Sequence, residues 1–336
     1  MLNAFLLATV GMSCLLTWLL RRYAFARSLI DTPNARSSHS VPTPRGGGVA
    51  IVVCFIAWVV ALWSLGFLAA PSTLALCGAG GLVALIGFLD DHGHIAARWR
   101  LLGHFTAAIW GLYWLGGLPA ITVFGSVADL GWVGHCLAAL YLVWLLNLYN
   151  FMDGIDGIAS VEAICVCLGG ALLVSLDTNT DQSYVALLLT LAAAVAGFLI
   201  WNVPPARIFM GDAGSGFLGI TLGVLSLQAA WSKPSLLWSW LILLGVFIVD
   251  ATFTLARRLI RGDKIYEAHC SHAYQHASRY YGRHLPVTAG VFFINVVWLI
   301  PLAVFVGQGW LDGLSGLMTA YAPLLVAAVR FRAGAF

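Results

Sequence analysis

Long runs of apolar residues, separated by short charged or Gly/Pro-rich segments, dominate the chain. A helix needs about 20 apolar residues to cross the roughly 30 Å hydrocarbon core of a bilayer. Such runs predict eleven spanning helices, at about 2–20, 46–69, 73–89, 101–118, 130–149, 158–176, 184–201, 214–232, 236–256, 286–306 and 312–329. Because the runs are continuous and do not alternate, a transmembrane β-barrel is disfavoured. The pattern predicts an all-α, polytopic integral membrane protein.

Composition supports the same class. Of the 336 residues, 61% are hydrophobic and only 9% are charged, and the mean hydropathy is +0.91. A soluble protein of this composition would expose large apolar patches and aggregate. Eleven helices leave too few residues for a second folded domain. We therefore expect one membrane-embedded domain over 1–336, with active-site loops at 21–45, 90–100, 150–157, 202–213 and 257–285.

The basic residues predict the orientation of the chain, because cytoplasmic loops concentrate Lys and Arg. If the N-terminus is periplasmic and the C-terminus cytoplasmic, 16 of the 17 basic residues fall on the cytoplasmic side, and only Lys233 lies outside. Most of the carboxylates gather on the same side. The unusual polar chemistry is thus expected at the cytoplasmic face of the membrane.

The first candidate cluster is the pair Asp90 and Asp91, at the end of an apolar run. Adjacent carboxylates at a membrane helix end repel each other and lose solvation, so a cation or a functional proton is needed to offset the cost. Mg²⁺ prefers oxygen ligands from one or two carboxylates together with phosphate. The pair therefore indicates a metal–diphosphate site, although a helix end that meets water is the simpler alternative.

A second cluster follows in the segment 147–157, where Asn147, Asn150 and Asp153 recur every three residues and Asp156 comes next. Residues at this spacing line one side of a helix end. Glycines at 154 and 157 let backbone approach a bound group closely. Two amides and two carboxylates between apolar helices indicate a binding or catalytic site rather than a simple polar turn.

A third cluster combines Arg207 with Gly211, Asp212 and Ser215, just before an apolar helix. Glycines and a serine at a helix N-terminus suit a turn that cradles phosphate. Asp212 is placed to hold a metal ion, and Arg207 to hold a phosphate. A glycine pattern alone would be weak evidence for a phosphate-binding turn. Two other carboxylate clusters are expected on the same side of the membrane, and this position strengthens the interpretation.

Histidines mark the last inward loop, where His269, His272 and His276 are spaced for one face of a helix. Binding of a substrate phosphate is the favoured interpretation. A solvated amphipathic helix remains an alternative, and zinc is disfavoured because no Cys/His set completes a site.

Two further features carry candidate residues. The first inward loop contains His39 and Arg45 before a triple glycine, and it is either a substrate loop or a positive-inside anchor. Asp250 falls inside an apolar run and is a functional candidate by default, unless it pairs with Arg257 or Arg258.

Together these segments resemble the polyprenyl-phosphate N-acetylhexosamine-1-phosphate transferase family (the MraY/WecA type, glycosyltransferase family 4). The motifs are P-T-P-R-G-G-G at 42–48, D-D at 90–91, N-x-x-N-x-x-D-G-x-D-G at 147–157 and F-M-G-D-x-G-S at 209–215. The resemblance covers nearly the whole chain, in order. The loop D-x-P-N-x-R-S-S-H and the stretch A-H-x-S-H-A-Y-Q look most like the WbpL-like branch that primes O-antigen synthesis.

The resemblance implies an Mg²⁺-dependent phosphotransferase, for which Mn²⁺ can substitute. Members transfer an N-acetylhexosamine 1-phosphate, here GlcNAc or a 6-deoxy relative, from a UDP-sugar to undecaprenyl phosphate and release UMP. The implied partners are these two substrates and membrane lipid, with no nucleic acid, and a homodimer is plausible. The pathway expected is O-antigen, lipopolysaccharide or related glycan synthesis.

The resemblance also implies roles for individual residues. Asp212 matches the metal-binding aspartate, with Asn150 beside it, and Asp90 or Asp91 matches the residue proposed to deprotonate the lipid phosphate. Asp153 and Asp156 are expected to act at the metal and nucleotide site. The substrate-binding residues expected are Asn147, Arg207, Gly211, Ser215, His269, His272, Arg45, His39 and Asp250.

Two alternatives stay open from the sequence. The peptidoglycan branch, which transfers phospho-N-acetylmuramoyl-pentapeptide, carries three consecutive histidines followed by Phe-Glu, whereas this chain reads His269-Cys-Ser-His272. That departure disfavours the muramoyl-pentapeptide substrate and leaves open which histidine meets the diphosphate. A secondary transporter is the alternative from another class, but it would place ionisable groups near the midplane and often shows internal repeats.

Overall fold

The computed structural model describes residues 2–33, 38–39, 41–93, 95–177, 181–263 and 269–335. Over these ranges helices predominate. They are α1 Leu2–Ala26, α2 Val49–Ser64, α3 Ala70–His92, α4 Ala97–Leu115, α5 Gly131–Met152, α6 Ile158–Ser175, α7 Gln182–Asn202, α8 Asp212–Ser232, α9 Ser235–Leu243, α10 Gly245–Ile260, α11 Ala273–Tyr281, α12 Leu285–Ile294, α13 Ile300–Gly307 and α14 Gly313–Arg330.

Each of the eleven apolar runs is helical, but two of them are not single α-helices. The run 236–256 is divided into α9 and α10, which meet at Leu244 with a bend of 72°. The run 286–306 contains a π-helical segment, Asn295–Leu299, between α12 and α13. The apolar pattern predicts which segments of the chain lie in the membrane. Breaks within such a segment depend on its packing against neighbouring helices.

Fewer than eleven helices pass a test of length and hydropathy for a membrane span. Within the described ranges, eight helices pass, and α9 with α10 make a ninth if the bent pair is one span. Helix α2 is apolar but has only 16 residues. Helix α4 has 19 residues and begins with Arg98 and Arg100 in its first turn. The polytopic all-α class is confirmed, while the count of eleven spans and their orientation stay predictions.

Helix α8 is the centre of the bundle and packs against α2, α3, α4, α5 and α9. Almost all of its residues are buried. Small residues allow this close packing, as in other membrane helix interfaces. A Cβ atom on Gly219 would lie 2.5 Å from the Cα atom of Leu146 in α5. The first turn of α8 is therefore surrounded by the ends of other helices.

Two short antiparallel hairpins lie outside the helices, a departure from a purely helical fold. β1 (Ile30–Asp31) pairs with β2 (Thr43–Pro44), and β3 (Ile121–Val123) pairs with β4 (Ser126–Ala128). The first hairpin brings the start of α2 beside the first turn of α8. Arg21 and Arg22, expected in the first loop, lie in α1, which continues to Ala26.

Candidate active site

The predicted polar residues meet at one end of the bundle. This end collects the C-terminal ends of α3 and α5, the first turn of α8, the loop 153–157, and the region around α11. The central side chain is Asp212, the first residue of α8. Its carboxylate accepts a hydrogen bond from Asn150 Nδ2 over 2.9 Å, and the same amide group lies 3.0 Å from Ser215 Oγ. The side chain of Asp212 is 37% exposed, so it is accessible to a ligand.

Arg100 bridges two of the predicted carboxylates, a role that the sequence did not indicate. Its Nη1 atom lies 2.5 Å from Asp90 Oδ2 and 3.5 Å from Asp212 Oδ2. The other oxygen of Asp90 accepts the backbone N–H of Ile95 over 2.8 Å. With both oxygens engaged, Asp90 is a partner of Arg100 in this structure rather than a free base.

Asp91 is almost fully buried and faces the N-terminus of α8. Its two oxygens lie 3.4 and 3.5 Å from the backbone nitrogens of Asp212 and Ala213. A carboxylate is favourable there because the helix dipole is positive at its N-terminus. Arg45 donates to the Asp91 carbonyl over 2.7 Å, and its Nε lies 3.8 Å from the carboxylate. Asp91 therefore fixes the start of α8 relative to α3.

The triple glycine at 46–48 is required for packing within the protein. Gly47 and Gly48 donate backbone hydrogen bonds to the carbonyls of Phe209 and Met210. A Cβ atom on Gly48 would lie 2.5 Å from the Cα atom of Gly214. The backbone that approaches this glycine cluster is that of α8.

Asp153 and Asp156 follow α5 and have different surroundings. Burial raises the pKa of Asp153 well above its usual range, and the carboxylates of Asp212, Asp91 and Asp156 act in the same direction. Asp156 Oδ2 accepts from the backbone N–H of Ala206 over 3.0 Å. Asp153 is thus more easily protonated than an ordinary aspartate.

His284, which the sequence did not single out, is the second partner of Asp156. Its Nδ1 lies 3.1 Å from Asp156 Oδ2, and its Nε2 lies 2.9 Å from the carbonyl of Ser38. The contact with the Asp156 carboxylate raises the pKa of His284, and burial opposes this effect. The pair is 128 residues apart in sequence, so no local pattern could have indicated it.

Asn202, at the end of α7, joins two of the motifs and was also missed. Its Oδ1 accepts from Gly157 N and its Nδ2 donates to Ile208 O, each over 3.0 Å. It therefore braces the loop after α5 against the loop before α8. His39 packs edge-on against Phe209, with ring centroids 4.8 Å apart.

Asp250 is a buried capping residue, which corrects the expectation that it contacts substrate. It accepts backbone hydrogen bonds from Ala273 and Tyr274, both over 2.9 Å, at the start of α11. His272 Nδ1 lies 3.3 Å from its Oδ1. The Asp250 carboxylate therefore contacts this histidine. Arg257, the expected alternative partner, donates to the carbonyl of Ala333 over 3.0 Å. Asp250 thus positions His272.

The three histidines of the last loop do not share one helix face, because α11 begins only at Ala273. His269 and His272 instead stack their rings, with centroids 4.9 Å apart. Burial lowers the pKa of His269 to about 4, and His272 and Arg258 act in the same direction. His269 is therefore uncharged at neutral pH and can offer only hydrogen bonds to a phosphate.

Two cavities meet at Asn150 and Asp212, which line both. The first, of about 450 Å³, has mainly apolar walls. Its lining includes Val83, Ile86, Leu101, Leu146, Phe151, Arg100, Asn147, His269 and His272. The second, of about 380 Å³, is polar. Its lining includes His39, Arg45, Asp91, Asp153, Asp156, Gly211 and His284.

Four predicted site residues line neither of these cavities. Asp90 is held by Arg100, Asp250 caps α11, and Ser215 donates to the Gly211 carbonyl over 3.2 Å. Arg207 is exposed, with its guanidinium 5.8 Å from the ring centroid of Trp201. The structure does not bring Arg207 to the cavities, and Arg100 and Arg45 supply the positive charge there. Asn147 lines the first cavity, and its amide donates to Val143 O.

Some residues in the predicted loops lie outside the described ranges. Among them are Arg36 in the first loop and Lys264 and Glu267 in the last.

Fold and site together define a polytopic membrane protein with an acidic site at one end of its helices. The family model for glycosyl transferase family 4 matches residues 72–230, which include three of the four motifs. The chain is 29% identical over 300 residues to the "Probable undecaprenyl-phosphate N-acetylglucosaminyl 1-phosphate transferase" of Bacillus subtilis, covering 85% of this chain and 80% of the relative.

Two other relatives carry different names. The chain is 31% identical over 281 residues to the decaprenyl-phosphate N-acetylglucosaminephosphotransferase of Mycolicibacterium smegmatis, covering 74% of this chain and 69% of the relative. It is 34% identical over 230 residues to the phospho-N-acetylmuramoyl-pentapeptide-transferase of Moorella thermoacetica, covering 61% and 69%. The chain therefore belongs to glycosyl transferase family 4, so the family resemblance seen in its motifs is confirmed, while the WbpL-like branch stays a prediction.

Proposed function

We propose that this protein transfers an N-acetylhexosamine 1-phosphate from a UDP-sugar to undecaprenyl phosphate. The observation that carries the proposal is the meeting of an apolar and a polar cavity at Asn150 and Asp212. A reaction between a lipid phosphate and a nucleotide sugar needs an apolar cavity and a polar cavity that meet where the two phosphate groups react. The names of the relatives supply the two substrate classes.

The walls of the cavities suit different substrates. Apolar side chains from α3, α4 and α5 in the first cavity are compatible with a prenyl chain, and Arg100 lies near its junction with the second cavity. The second cavity offers Arg45 and hydrogen-bonding groups for a nucleotide diphosphate. We assign undecaprenyl phosphate to the first and the UDP-sugar to the second.

The donor atoms at the junction fit Mg²⁺. Asp212 and the neighbouring carboxylates supply oxygen, and Mg²⁺ takes one or two carboxylates with substrate phosphates and water. Over the described ranges, no three His, Cys, Asp or Glu side chains form a site that could enclose a metal by themselves. A site shared with substrate, held by Asp212 with Asn150 beside it, agrees with both facts. Bound there, the ion would neutralise charge on the diphosphate.

The chemistry requires that two anions approach each other. An oxygen of the lipid phosphate forms a bond to the β-phosphorus of the UDP-sugar, and the bond between that phosphorus and the bridging oxygen breaks. UMP leaves with the electron pair. Arg100 and Arg45 lower the repulsion in the approach, and such preorganised charge is the main source of catalysis in phosphoryl transfer. Asp153 faces the polar cavity and, with its raised pKa, is suited to exchange a proton there.

The choice of sugar and pathway is the finer part of the proposal. We favour UDP-GlcNAc or a 6-deoxy relative and a role in O-antigen, lipopolysaccharide or related glycan synthesis. The sequence of the last loop supports this choice, because it lacks the three histidines of the muramoyl-pentapeptide branch. A relative from that branch shares 34% identity, so this substrate is the control in the assay.

We further propose that the site faces the cytoplasm at a bacterial inner membrane, with a periplasmic N-terminus and a homodimeric assembly. The distribution of basic residues supports the orientation. Arg45 and Arg100 contact the acidic site itself, at the end of the bundle where nearly all Lys and Arg are expected.

The experiment is transfer of label from UDP-[³H]GlcNAc to undecaprenyl phosphate by the purified protein in detergent. A chelator should abolish transfer, and Mg²⁺ or Mn²⁺ should restore it. Asp212→Asn should reduce kcat at least about 100-fold, the usual loss on removing a preorganised charge from a transition state. Asp129→Asn, in an exposed turn, is the matched control and should have no effect. Full activity of Asp212→Asn, or transfer only from UDP-N-acetylmuramoyl-pentapeptide, would contradict the proposal.

A further inference from the structure

Glu162 is a fully buried acidic residue that the proposed reaction does not use. It lies in α6, one helical turn after the loop that carries Asp153 and Asp156, and it is completely inaccessible to solvent. Over the described ranges no Lys, Arg or His makes an ion pair with it. An ionised carboxylate without a cation is very unfavourable inside a membrane protein.

The partners of Glu162 come from two irregular points in other helices. Asn295, the first residue of the π-helical segment, donates from Nδ2 to Glu162 Oε2 over 2.7 Å. The backbone N–H of Phe247, in the first turn of α10 just after the 72° bend, interacts with the same carboxyl group. The titratable side chains that face Glu162 are Tyr149, Cys165 and Tyr321, none of which carries positive charge.

Two oxygens in this contact lack a partner. Glu162 Oε1 and Asn295 Oδ1 are both buried, and neither makes a hydrogen bond to any described residue. Both are acceptors if Glu162 is ionised, so each would carry the cost of an unpaired buried polar group. A proton on Oε1 would turn the acid into a donor, for which Asn295 Oδ1 is an available acceptor, while Oε2 accepts from Nδ2.

We propose that Glu162 is an uncharged acid at neutral pH, in a reciprocal hydrogen-bonded pair with Asn295, and that its carboxyl group positions α10 for the transferase site. The pair joins α6, whose start follows Asp153 and Asp156, to the π-helical segment. The contact with the Phe247 N–H places the same carboxyl group beside the first turn of α10, one helical turn before Asp250, which holds His272 and the start of α11. The positioning role rests on the proposed function, whereas the protonation state does not.

The protonation state is tested by infrared spectroscopy of the purified protein in D₂O at neutral pH. The spectrum of wild type minus Glu162→Gln should contain the carbonyl band of a protonated carboxylic acid and no carboxylate bands. Asp129→Asn is the matched control, and its difference spectrum should contain carboxylate bands and no carbonyl band of a protonated acid. Carboxylate bands in the Glu162→Gln difference would overturn the proposal. This result is independent of any activity, so a failure of the proposed function leaves it readable.

The positioning role is tested by two replacements of similar size. Glu162→Gln keeps a reciprocal pair, because its amide donates to Asn295 Oδ1, so its kcat, KM and unfolding temperature should match wild type. Glu162→Met cannot form hydrogen bonds and should lower kcat about tenfold, the effect of one lost buried interaction, with a lower unfolding temperature. A folded Glu162→Met with normal kcat, or a Glu162→Gln as defective as Glu162→Met, would overturn the role.

Discussion

Replacement of Asp250 tests how the structure holds His272 at the cavity. The Asp250 carboxylate accepts from two backbone N–H groups over 2.9 Å and from Thr254 Oγ1 over 3.1 Å, and it also contacts His272. Asp250→Asn places an amide NH₂ group where one of these donors points. One charge-assisted hydrogen bond is lost, which costs about 1.5–3 kcal/mol of unfolding free energy. Asp250→Ala removes the whole acceptor set and should cost about 3–5 kcal/mol.

The assay combines denaturant unfolding in detergent with the transfer reaction. Both variants should be less stable than wild type, and Asp250→Ala should be less stable than Asp250→Asn. Asp250→Asn should also lower kcat at least about tenfold, because His272 loses its orienting partner. Asp129→Asn removes an exposed carboxylate with one backbone partner and should change stability by no more than about 0.5 kcal/mol. An Asp250→Asn protein as stable and active as wild type would refute the assignment of Asp250 as a positioning residue.

Three further outcomes follow from the geometry. Gly48→Ala should lower the unfolding free energy by about 1–3 kcal/mol because its Cβ would meet the α8 backbone, whereas Gly81→Ala, with only a contact at 3.8 Å inside helix α3, should be neutral or stabilising by up to about 1 kcal/mol in the same denaturation experiment. Arg100→Met should lower kcat about 100-fold because it removes the positive charge between Asp90 and Asp212, while the exposed Arg98→Met should leave kcat unchanged; equal rates would contradict the bridge. The pKa of His284 is raised in the folded state, so the histidine stabilises the fold fully below about pH 6.5. This stabilisation is lost as the pH rises through the folded pKa. The unfolding temperature of wild type should therefore fall over that pH range, and that of His284→Gln should not.

Local hydropathy predicts most of the fold. The eleven apolar runs are helical because a long uninterrupted apolar segment satisfies its backbone in a membrane only as a helix. The bend between α9 and α10 could not be predicted, because the sequence around Leu244 is as apolar as the rest of the run. On either side of the break, α9 packs mainly against α13 and α14, and α10 packs mainly against α14 and α5, so the contacts come from other parts of the sequence.

The acidic part of the site was predictable for a different reason. In a chain with so few charges, grouped carboxylates stand out, and Asp153 and Asp212 do line the cavities. Partners from distant segments were not predictable. Arg100 counted only toward the orientation of the chain, and His284 lies outside every motif. Their roles appear only when the helix ends are brought together.

The fate of the β-phosphate tests the central claim most directly. A UDP-GlcNAc labelled with ³²P at the phosphate bonded to the sugar would be incubated with the purified protein, undecaprenyl phosphate and Mg²⁺. Transfer of sugar 1-phosphate predicts label in the lipid product and release of unlabelled UMP. Label that remains in a released UDP would show transfer of the sugar alone and would contradict the proposed reaction.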